Sequence, residues 1–530
     1  MSQMTNAAET SASPRFVHFA ERIRAAAAAK PDLEVIKCAG EARTWREFLP
    51  RINQVANMLA ARGLGRGTMI AILAKSSIEY MEVFLGALQA GVCTVPLSGM
   101  ASSEQLEMMV KDSGSKLVFA SASTRDLIEP FRGRIEAVPA DGYVAIDFEG
   151  EGWTPYETLL KGASTEPLYV DIEPGDAFNL IYSSGTTGVP KGIVQSQQMR
   201  AGHILRFHSL GPLDNAVTLI STALYSNTTL VMLLPTLAMG GRVIIMPKFD
   251  VKGYLEIAEK ERVTHTMLVP VQFQRLLAYP DFDKYDLSAF EVKFCTSAPL
   301  REGVKREILD RWPGKMFENY GLTEGGVGTI LACHDHPDKL ASVGTAGMGV
   351  DLRIINEAGE ELPQGEIGEV IGRNGAMMTG YHNRPDLTEA MIWRSPEGQI
   401  FYKSGDMGRI DEDGFLYLLD RKKDMIISGG FNIYASDIEV EIAKHPEVED
   451  VAVIGVPSAE WGETPLALVV LKPESRLGEA ELTAWANARL GKTQRISGVE
   501  FRDDLPRSTI GKVMKRELRA PYWAESGRAI

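Results

Sequence analysis

The segment from residue 183 to residue 192 has the composition of a phosphate-binding loop. It reads Ser-Ser-Gly-Thr-Thr-Gly-Val-Pro-Lys-Gly and follows an apolar, strand-like run at 178–182. Glycines let backbone N–H groups face a bound phosphate, hydroxyls add short donors, and a lysine supplies a point charge. In a Walker A loop the lysine directly follows the second conserved glycine, whereas here Val189 and Pro190 precede Lys191. The pattern therefore predicts phosphate binding and disfavours a P-loop NTPase.

Four later segments carry acids, hydroxyls and lysines in compact motifs. They are Tyr-Gly-Leu-Thr-Glu at 320–324, Tyr-Lys-Ser-Gly-Asp at 402–406, the charged run 420–439 containing Ser-Gly-Gly, and Pro-Arg-Ser-Thr-Ile-Gly-Lys at 506–512. Together with the loop, and in this order, they resemble the signature motifs of the adenylate-forming superfamily of acyl-CoA synthetases, firefly luciferases and non-ribosomal adenylation domains. The resemblance covers nearly the whole chain. It implies a large N-terminal domain and a small, mobile C-terminal lid.

The resemblance also implies which residues join a carboxylate to the α-phosphate of ATP. This reaction brings two anions together, so the site must supply positive charge and hold Mg²⁺ on the leaving pyrophosphate. Glu324 would hold Mg²⁺, Thr323 would contact the α-phosphate, and Lys512 would bridge that phosphate and the attacking carboxylate. Lys191 completes the implied catalytic set. The implied ATP-binding residues are Ser183, Thr186, Thr187, Ser297, Ala298, Pro299, Asn319, Tyr320, Asp406 and Arg421.

Within the ATP-binding set, the implied roles divide between base and ribose. Residues 297–299 with Asn319 would form the adenine-binding wall, and the ring of Tyr320 would stack on the base. Asp406 would accept both ribose hydroxyls because a carboxylate offers two acceptor oxygens. Arg421 would hold the same ribose or a phosphate. By residue type alone, Asp406 could equally be a turn residue and Arg421 equally part of a solvated linker.

A second half-reaction would transfer the acyl group from the adenylate to the thiol of coenzyme A. One site cannot hold both Lys512 and an incoming thiol, so the lid has to turn. Lys423 occupies the position of the hinge residue in the family, where a change in a few backbone torsions would swing the lid. Gly429 and Gly430 resemble the loop that lines the pantetheine tunnel, although the same residues are typical of a tight turn.

Two departures from the family patterns concern the acid. Ser226, after Tyr225, replaces a histidine common in aryl- and acyl-CoA ligases, and it cannot supply the aspartate charge that amino-acid-activating domains use. Gly321 stands where acetyl-CoA synthetases have tryptophan, which implies a deeper pocket. With Gly326 and Val327 these residues form the candidate acid pocket, with an ordinary core role as the alternative. An aromatic or a medium- to long-chain fatty acid is therefore favoured over acetate and over an α-amino acid.

The elements that position these motifs follow from hydrophobic periodicity. An apolar run at 69–73, a helical pattern from Ile78 and a second apolar run at 92–97 predict a β-α-β unit. Ser102 with Gln105 predicts a capping box, and the strand at 116–120 extends a parallel sheet. The fold class is thus α/β, with layered subdomains in the N-terminal domain.

The last hundred residues have a different pattern, which is typical of a small α+β domain. Ser436 and Glu439 predict the capped start of a helix that reaches about Lys444. The charged residues 420–424 mark the predicted boundary, which gives domains at 1–420 and 421–530.

Composition excludes several classes of protein. Lysine plus arginine total 56 and aspartate plus glutamate total 70, so the net charge is −14, which disfavours nucleic acid as a partner. The four cysteines have no CxxC spacing, as expected of reduced thiols in a cytoplasmic protein. No segment has the length and apolarity of a membrane span or of a secretion signal.

These observations predict an AMP-forming ligase that uses ATP, Mg²⁺ and coenzyme A on a small hydrophobic carboxylic acid. Two alternatives remain open. The acceptor thiol could belong to a carrier protein, and the chain could be a non-catalytic ligand-binding relative, although Lys191, Glu324, Asp406 and Lys512 are all retained. The sequence does not determine the oligomeric state, and a homo-oligomer is one of the possibilities that it leaves open.

Overall fold

The computed structural model describes residues 16–183, 190–421, 424–428, 431–508 and 511–524. The chain forms two compact units. The first takes the chain up to Asn215 together with Leu234–Arg242, and the second takes Ala216–Leu233 together with everything from Val243 onward.

The chain up to Asn215 alternates strands and helices. Its elements are α1 (Phe19–Ala29), β1 (Glu34–Cys38), β2 (Glu41–Thr44), α2 (Trp45–Ala61), β3 (Met69–Leu73), α3 (Ile78–Gln89), β4 (Cys93–Pro96), α4 (Ser103–Ser113), β5 (Val118–Ala120), α5 (Arg125–Ile128), β6 (Tyr143–Ala145), β7 (Thr154–Pro155), α6 (Tyr156–Leu160), β8 (Ala177–Ser183), β9 (Lys191–Ser196) and α7 (Gln197–Leu210). Strands of the first unit pair in the order β9-β8-β4-β3-β5-β6-β7. All these pairs are parallel except β8 with β9.

The predicted β-α-β unit and the following helix are confirmed. β3 and β4 are parallel neighbours on either side of α3 in sequence. Helix α4 begins with the predicted capping box, because the Gln105 N–H donates to Ser102 Oγ and the Ser102 N–H donates to Gln105 Oε1. Such a box satisfies two backbone donors that the helix itself cannot pair.

From Ala216 to the predicted boundary, the chain continues with further strands and helices. They are β10 (Val217–Ile220), α8 (Asn227–Ala238), β11 (Arg242–Ile245), α9 (Val251–Lys260), β12 (His265–Leu268), α10 (Pro270–Leu277), β13 (Val292–Cys295), α11 (Glu302–Arg311), β14 (Lys315–Gly321), β15 (Gly328–Ala332), β16 (Thr345–Ala346), β17 (Asp351–Ile355), β18 (Gly368–Arg373), β19 (Gly380–Tyr381), α12 (Pro385–Met391), β20 (Ile392–Arg394), β21 (Ile400–Ile410) and β22 (Leu416–Arg421). One sheet of the second unit contains β16-β15-β14-β13-β12-β10 in that order. Another is antiparallel, β17-β18-β21-β20, and β22 pairs with β21.

The C-terminal part of the second unit is a small α+β domain with its own hydrophobic cluster. Its elements are β23 (Ile426–Ser428), β24 (Phe431–Ile433), α13 (Ala435–Ile442), β25 (Val448–Ser458), β26 (Gly462–Leu471), α14 (Glu479–Asn487), β27 (Gly498–Phe501) and α15 (Lys515–Trp523). The fold class predicted from sequence is confirmed: the protein is α/β, with layered α/β structure before this small domain.

The predicted cap of α13 is wrong. The helix begins at Ala435, so Ser436 lies inside it, and the Ser436 hydroxyl donates to the Leu419 carbonyl instead. Glu439 Oε1 accepts the Val453 N–H at 2.7 Å and pairs with Lys515 Nζ at 2.8 Å. Ser436 and Glu439 therefore bond to distant segments and do not form the predicted cap of α13.

Candidate active site

Tyr320, predicted to stack on adenine, meets the predicted ribose-binding residues Asp406 and Arg421 where β14 ends and where β21 pairs with β22. Tyr320 Oη donates to Asp406 Oδ2 at 2.6 Å. Asp406 and Arg421 are cross-strand partners, and Arg421 Nε is 3.6 Å from Asp406 Oδ1. Each carboxylate oxygen of Asp406 therefore has a polar neighbour, and the side chain of Asp406 is only 14% exposed. This arrangement fixes the orientation of the carboxylate.

Burial and the neighbouring charge set the protonation of Tyr320. Burial, followed by the charge of Asp406 and the hydrogen bond to it, raises the pKa of Tyr320 well above its usual value. The hydroxyl therefore remains a donor to Asp406 throughout the physiological range. The Asp406 backbone is also held, because its N–H donates to Ser404 Oγ at 3.0 Å and the Ser404 hydroxyl donates to the Val370 carbonyl at 2.7 Å.

The predicted adenine wall, residues 297–299, begins two residues after the end of β13 and has a strained backbone. Ser297 has a φ of +82°, a conformation that residues other than glycine rarely adopt and that costs about 1–3 kcal/mol. The Ser297 hydroxyl is 2.5 Å from the hydroxyl of Thr228 in α8. At the other end of the wall, the Leu300 N–H donates to Glu318 Oε1 at 3.2 Å. Contacts at both ends thus keep the strained segment in place.

A buried ion pair that sequence reasoning missed supports this wall. Glu318 in β14 pairs with Lys305 in α11, and both side chains are at least 96% buried. Lys305 Nζ also donates to the carbonyls of Leu340 and Ser342, at 2.7 and 2.9 Å. Burial raises the pKa of Glu318, and the ammonium of Lys305 opposes that rise. No sequence pattern predicts this pair, since Lys305 lies among other charged residues in a segment typical of an exposed helix.

Asn319 has an amide group without a partner. Among the described residues, neither its amide nitrogen nor its amide oxygen makes a hydrogen bond, and both atoms are buried. A buried amide left unpaired is costly unless a ligand supplies the missing bonds. An asparagine amide matches the adjacent donor and acceptor on the edge of adenine. The adenine-binding role of Asn319 stays a prediction.

Thr323 and Glu324 lie in a turn directly after β14, and both are half-buried. The Gly325 N–H closes the turn on the Leu322 carbonyl at 3.0 Å. Tyr381 Oη donates to Glu324 Oε1 at 2.8 Å, a contact that sequence reasoning missed. Neither the spacing of Tyr381 from Glu324 nor the residues around it give a local signal for this bond.

The candidate acid-pocket residues divide into two groups. Tyr225 is half-buried and Gly321 is exposed. By contrast, Ser226, Gly326 and Val327 are buried, and the Ser226 carbonyl accepts the Thr229 N–H at 3.1 Å just before α8. Their role in binding the acid remains a prediction.

The packing around Gly326 leaves no room for a side chain. With φ at +79°, a Cβ added there would lie 2.8 Å from the Gly372 carbonyl oxygen. Val327 belongs to a hydrophobic cluster with Ile354, Val370 and Leu416. Both residues therefore have a clear packing role.

The phosphate-loop motif lies in the first unit, at the junction of β8 and β9. Ser183 and Lys191 are partners across this antiparallel pair. Thr186 and Thr187 lie outside the described residues. The hydroxyl of Tyr182, just before the loop, donates to Asp112 Oδ2 at 2.6 Å. The last residue before the loop motif is thus anchored to α4.

Lys512 directly follows a tightly packed glycine in the C-terminal domain. Gly511 has a φ of +76°, and a Cβ there would lie 3.1 Å from Val271 Cγ1 at the start of α10. The Lys512 N–H donates to Ser508 Oγ at 3.2 Å, and the Ser508 N–H donates to the Lys512 carbonyl at 2.8 Å. The Lys512 backbone is thus part of a closed turn packed on α10. The predicted hinge, Lys423, and the predicted CoA-binding Gly429 and Gly430 lie outside the described residues.

An ion-pair bridge connects the C-terminal domain to α11. Asp450 in β25 pairs with Arg507 and also with Arg301, whose Nη2 lies 3.3 Å from Asp450 Oδ1. Arg301 immediately precedes α11. In this structure the bridge and the contact of Gly511 with Val271 keep the Lys512 turn against the larger part of the second unit.

Comparison with known proteins assigns the chain to a family. Residues 23–382 match the AMP-binding enzyme family, and residues 437–512 match the C-terminal domain of AMP-binding enzymes. The chain belongs to the AMP-binding enzyme family. This result confirms the predicted membership in the adenylate-forming superfamily and the arrangement of a large N-terminal and a small C-terminal domain.

Relatives within the AMP-binding enzymes align with nearly the full chain. A feruloyl-CoA synthase from Amycolatopsis is 33% identical over 499 residues, which are 93% of this chain and 96% of that protein. The long-chain-fatty-acid–CoA ligase FadD13 of Mycobacterium tuberculosis is 30% identical over 485 residues, 91% of this chain and 93% of that protein. The ATP-bound crystal structure of MatB from Rhodopseudomonas palustris has a TM-score of 0.86 and 31% identity, and covers 96% of this chain and 100% of that one.

Proposed function

We propose that this AMP-binding enzyme is an AMP-forming acyl-CoA synthetase, an acid-thiol ligase, that activates a hydrophobic carboxylic acid. The observation that carries the proposal is the group formed by Tyr320, Asp406 and Arg421, which lies a few residues from Thr323 and Glu324 along the chain. A fixed carboxylate beside a half-buried aromatic ring suits a nucleoside. Thr323 and Glu324 follow Tyr320 closely in the sequence. A threonine hydroxyl suits a phosphate of ATP, and a glutamate carboxylate suits the cation bound to the phosphates.

In the first half-reaction, a carboxylate oxygen of the acid attacks the α-phosphorus of ATP. The bond from that phosphorus to the bridging oxygen of pyrophosphate breaks, and pyrophosphate leaves with the electron pair. Lys512 and Thr323 would stabilise the negative charge that develops at the α-phosphate. Lys191, Thr186 and Thr187, with Ser183, would bind the phosphates that leave.

The residues fit a magnesium ion that is held mainly by its substrate. Among the described residues, no group of three or more histidines, cysteines or acids could hold a metal by itself. Mg²⁺ commonly uses one or two protein carboxylates together with phosphate oxygens and water. Glu324, half-buried and hydrogen-bonded by Tyr381, would supply that carboxylate. The ion would neutralise charge on the leaving pyrophosphate.

In the second half-reaction, the sulfur of coenzyme A attacks the acyl carbon of the adenylate. The thioester C–S bond forms, the C–O bond to AMP breaks, and the thiol proton passes to solvent. Lys423 would act as the hinge of the C-terminal domain, which would start near residue 421, and Gly429 and Gly430 would line the pantetheine tunnel.

All four cysteines are buried and free, which agrees with a reducing, cytoplasmic compartment. Within the described residues, no helix is long and apolar enough to cross a membrane.

The acid is proposed to be aromatic or a medium- to long-chain fatty acid. The relatives named above include a feruloyl-CoA synthase and a long-chain-fatty-acid–CoA ligase, and thus represent both classes. Of the candidate pocket residues, Tyr225 and Gly321 keep accessible surface for a contact with the acid, whereas Ser226, Gly326 and Val327 are buried.

The test is ATP- and Mg²⁺-dependent formation of AMP over a panel of aromatic, medium-chain and long-chain acids, each with and without coenzyme A. We expect one acid class to give AMP and a CoA thioester in equal amounts. Release of pyrophosphate without CoA-dependent turnover would instead support a carrier-protein thiol as the acceptor. Failure of every acid to support release of AMP or pyrophosphate would contradict the proposed substrate class.

A further inference from the structure

Two hydrogen bonds from one short segment hold Glu324. The Met378 N–H donates to the Glu324 carbonyl at 2.8 Å, and Tyr381 Oη donates to the Glu324 carboxylate oxygen Oε1, also at 2.8 Å. Gly325, the next residue, forms an antiparallel bridge with Met377. The segment 377–381 thus fixes both the backbone and the side chain of the proposed metal-binding residue.

Tyr381 is itself held by the segment that follows it. Its N–H donates to Thr388 Oγ1 in α12 at 2.9 Å, and its hydroxyl lies 3.5 Å from Met391 Sδ at the end of that helix. A Cβ at Gly380 would lie 3.2 Å from Thr388 Oγ1, so the backbone approaches the helix closely. The hydroxyl therefore has little freedom to follow Glu324 if the carboxylate turns.

We propose that Tyr381 is a positioning residue for the metal-binding carboxylate of Glu324. Its hydroxyl engages Oε1 and leaves Oε2 as the oxygen for the cation on the pyrophosphate. Groups that hydrogen-bond a metal ligand orient it, and their loss typically costs about 10- to 100-fold in metal affinity. The inference rests on the role of Glu324 in the proposed function.

The chemistry of the phenol suits this role. A phenol hydroxyl has a single proton to donate, and here that proton is given to Glu324 Oε1. Because this donation neutralises none of the carboxylate charge, the attraction of Glu324 for a divalent cation is retained.

The experiment measures Mn²⁺ binding in the presence of ATP and without the acid, by electron paramagnetic resonance of free Mn²⁺. Tyr381→Phe removes only the hydroxyl, and we expect it to weaken Mn²⁺ binding about 10- to 100-fold. In turnover assays the Mg²⁺ concentration at half-maximal adenylation should rise by a similar factor, while KM for ATP at saturating Mg²⁺ stays near the wild-type value.

Tyr402→Phe is the matched control. The Tyr402 hydroxyl donates to the Met378 carbonyl at 3.1 Å, in the same segment but not to Glu324. Equal weakening of Mn²⁺ binding in both variants would assign the effect to a loosened segment and overturn the proposal. In a Glu324→Gln background, Tyr381→Phe should cause no further loss of Mn²⁺ affinity, and an additive loss would also overturn it.

Glu324→Gln alone separates this inference from the proposed function. If it weakens Mn²⁺ binding and Tyr381→Phe does not, the positioning role is wrong and the metal role of Glu324 stands. If Glu324→Gln leaves Mn²⁺ binding unchanged, the metal role proposed for Glu324 is wrong and the positioning role falls with it.

Discussion

The hydroxyl of Tyr320 lies 2.6 Å from Oδ2 of Asp406, although the two residues are 86 positions apart in the sequence. This bond connects the end of β14 with β21, which belong to different sheets of the second unit. The bond orients the ring of Tyr320, which is proposed to stack on adenine. It also orients the carboxylate of Asp406, which is proposed to bind ribose. The two recognition elements are therefore set relative to each other before a nucleotide binds.

Tyr320→Phe should weaken ATP binding about 10- to 100-fold while leaving the ring in place. A hydrogen bond to a charged group contributes about 1.5–3 kcal/mol, and its loss frees the carboxylate that is proposed to bind the ribose. The measurements are the Kd for ATP by calorimetry and KM for ATP in adenylation. Tyr254→Phe is the control, since it removes a buried hydroxyl that bonds Thr266 instead. A Kd for ATP within twofold of wild type in Tyr320→Phe would contradict the role.

Lys512→Ala should abolish most adenylation and spare the thioester step. The lysine is proposed to stabilise only the transition state of the first half-reaction, so thioester formation from a supplied acyl adenylate should proceed at nearly the wild-type rate. Single-turnover assays of each half-reaction provide the measurement. Arg516→Ala, which removes an exposed charge from the same basic run, should affect neither step. Equal losses in both steps for Lys512→Ala would contradict the assignment.

Gly511→Ala should slow adenylation roughly tenfold, with a smaller effect on the thioester step. The new Cβ would lie 3.1 Å from Val271 Cγ1, and a positive φ costs a residue with a side chain about 1–2 kcal/mol. Both effects act on the turn that carries Lys512 when it packs on α10. Gly414→Ala is the matched control, because Gly414 also has a positive φ but no atom within 4 Å of the added Cβ. An equal effect of the two substitutions on the rate of adenylation would contradict the prediction.

Stability should fall as the pH drops from about 6.5 to about 4, in part through His265. The ring is buried, and burial lowers the pKa of His265 from 6.5 to about 4. Below pH 6.5 the unfolded chain therefore binds a proton that the folded protein does not take up. Between pH 6.5 and pH 4, the free energy of unfolding therefore falls by up to about 1.4 kcal/mol per pH unit because of this one group.

His265→Gln should reduce this dependence, measured as the urea-unfolding midpoint between pH 6.5 and pH 4.5. Burial also lowers the pKa of His203 well below its usual value, so part of the dependence should remain. His336→Gln, at an exposed position, is the control. If the variant and the wild-type protein have the same pH dependence, His265 is not responsible for the acid sensitivity.

Local patterns predicted the elements whose bonds are themselves local. The box of Ser102 and Gln105 depends on two hydrogen bonds across three residues, and it forms as predicted. The same pattern at Ser436 and Glu439 forms no capping box. There the Ser436 hydroxyl bonds to Leu419, and the Glu439 carboxylate bonds to Val453 and Lys515. A hydrogen bond to a distant segment can outweigh a local cap of about 1 kcal/mol.

The sequence by itself determined the fold class, the family and the order of the motifs, because these depend on hydrophobic periodicity and on short runs of adjacent residues. Only the tertiary structure decided what holds the motif residues. The bond of Tyr381 to Glu324, the pair of Lys305 with Glu318 and the bond of Tyr320 to Asp406 all join distant positions. No period or spacing encodes such contacts, since packing of the whole chain sets which side chains meet and how far they are removed from water.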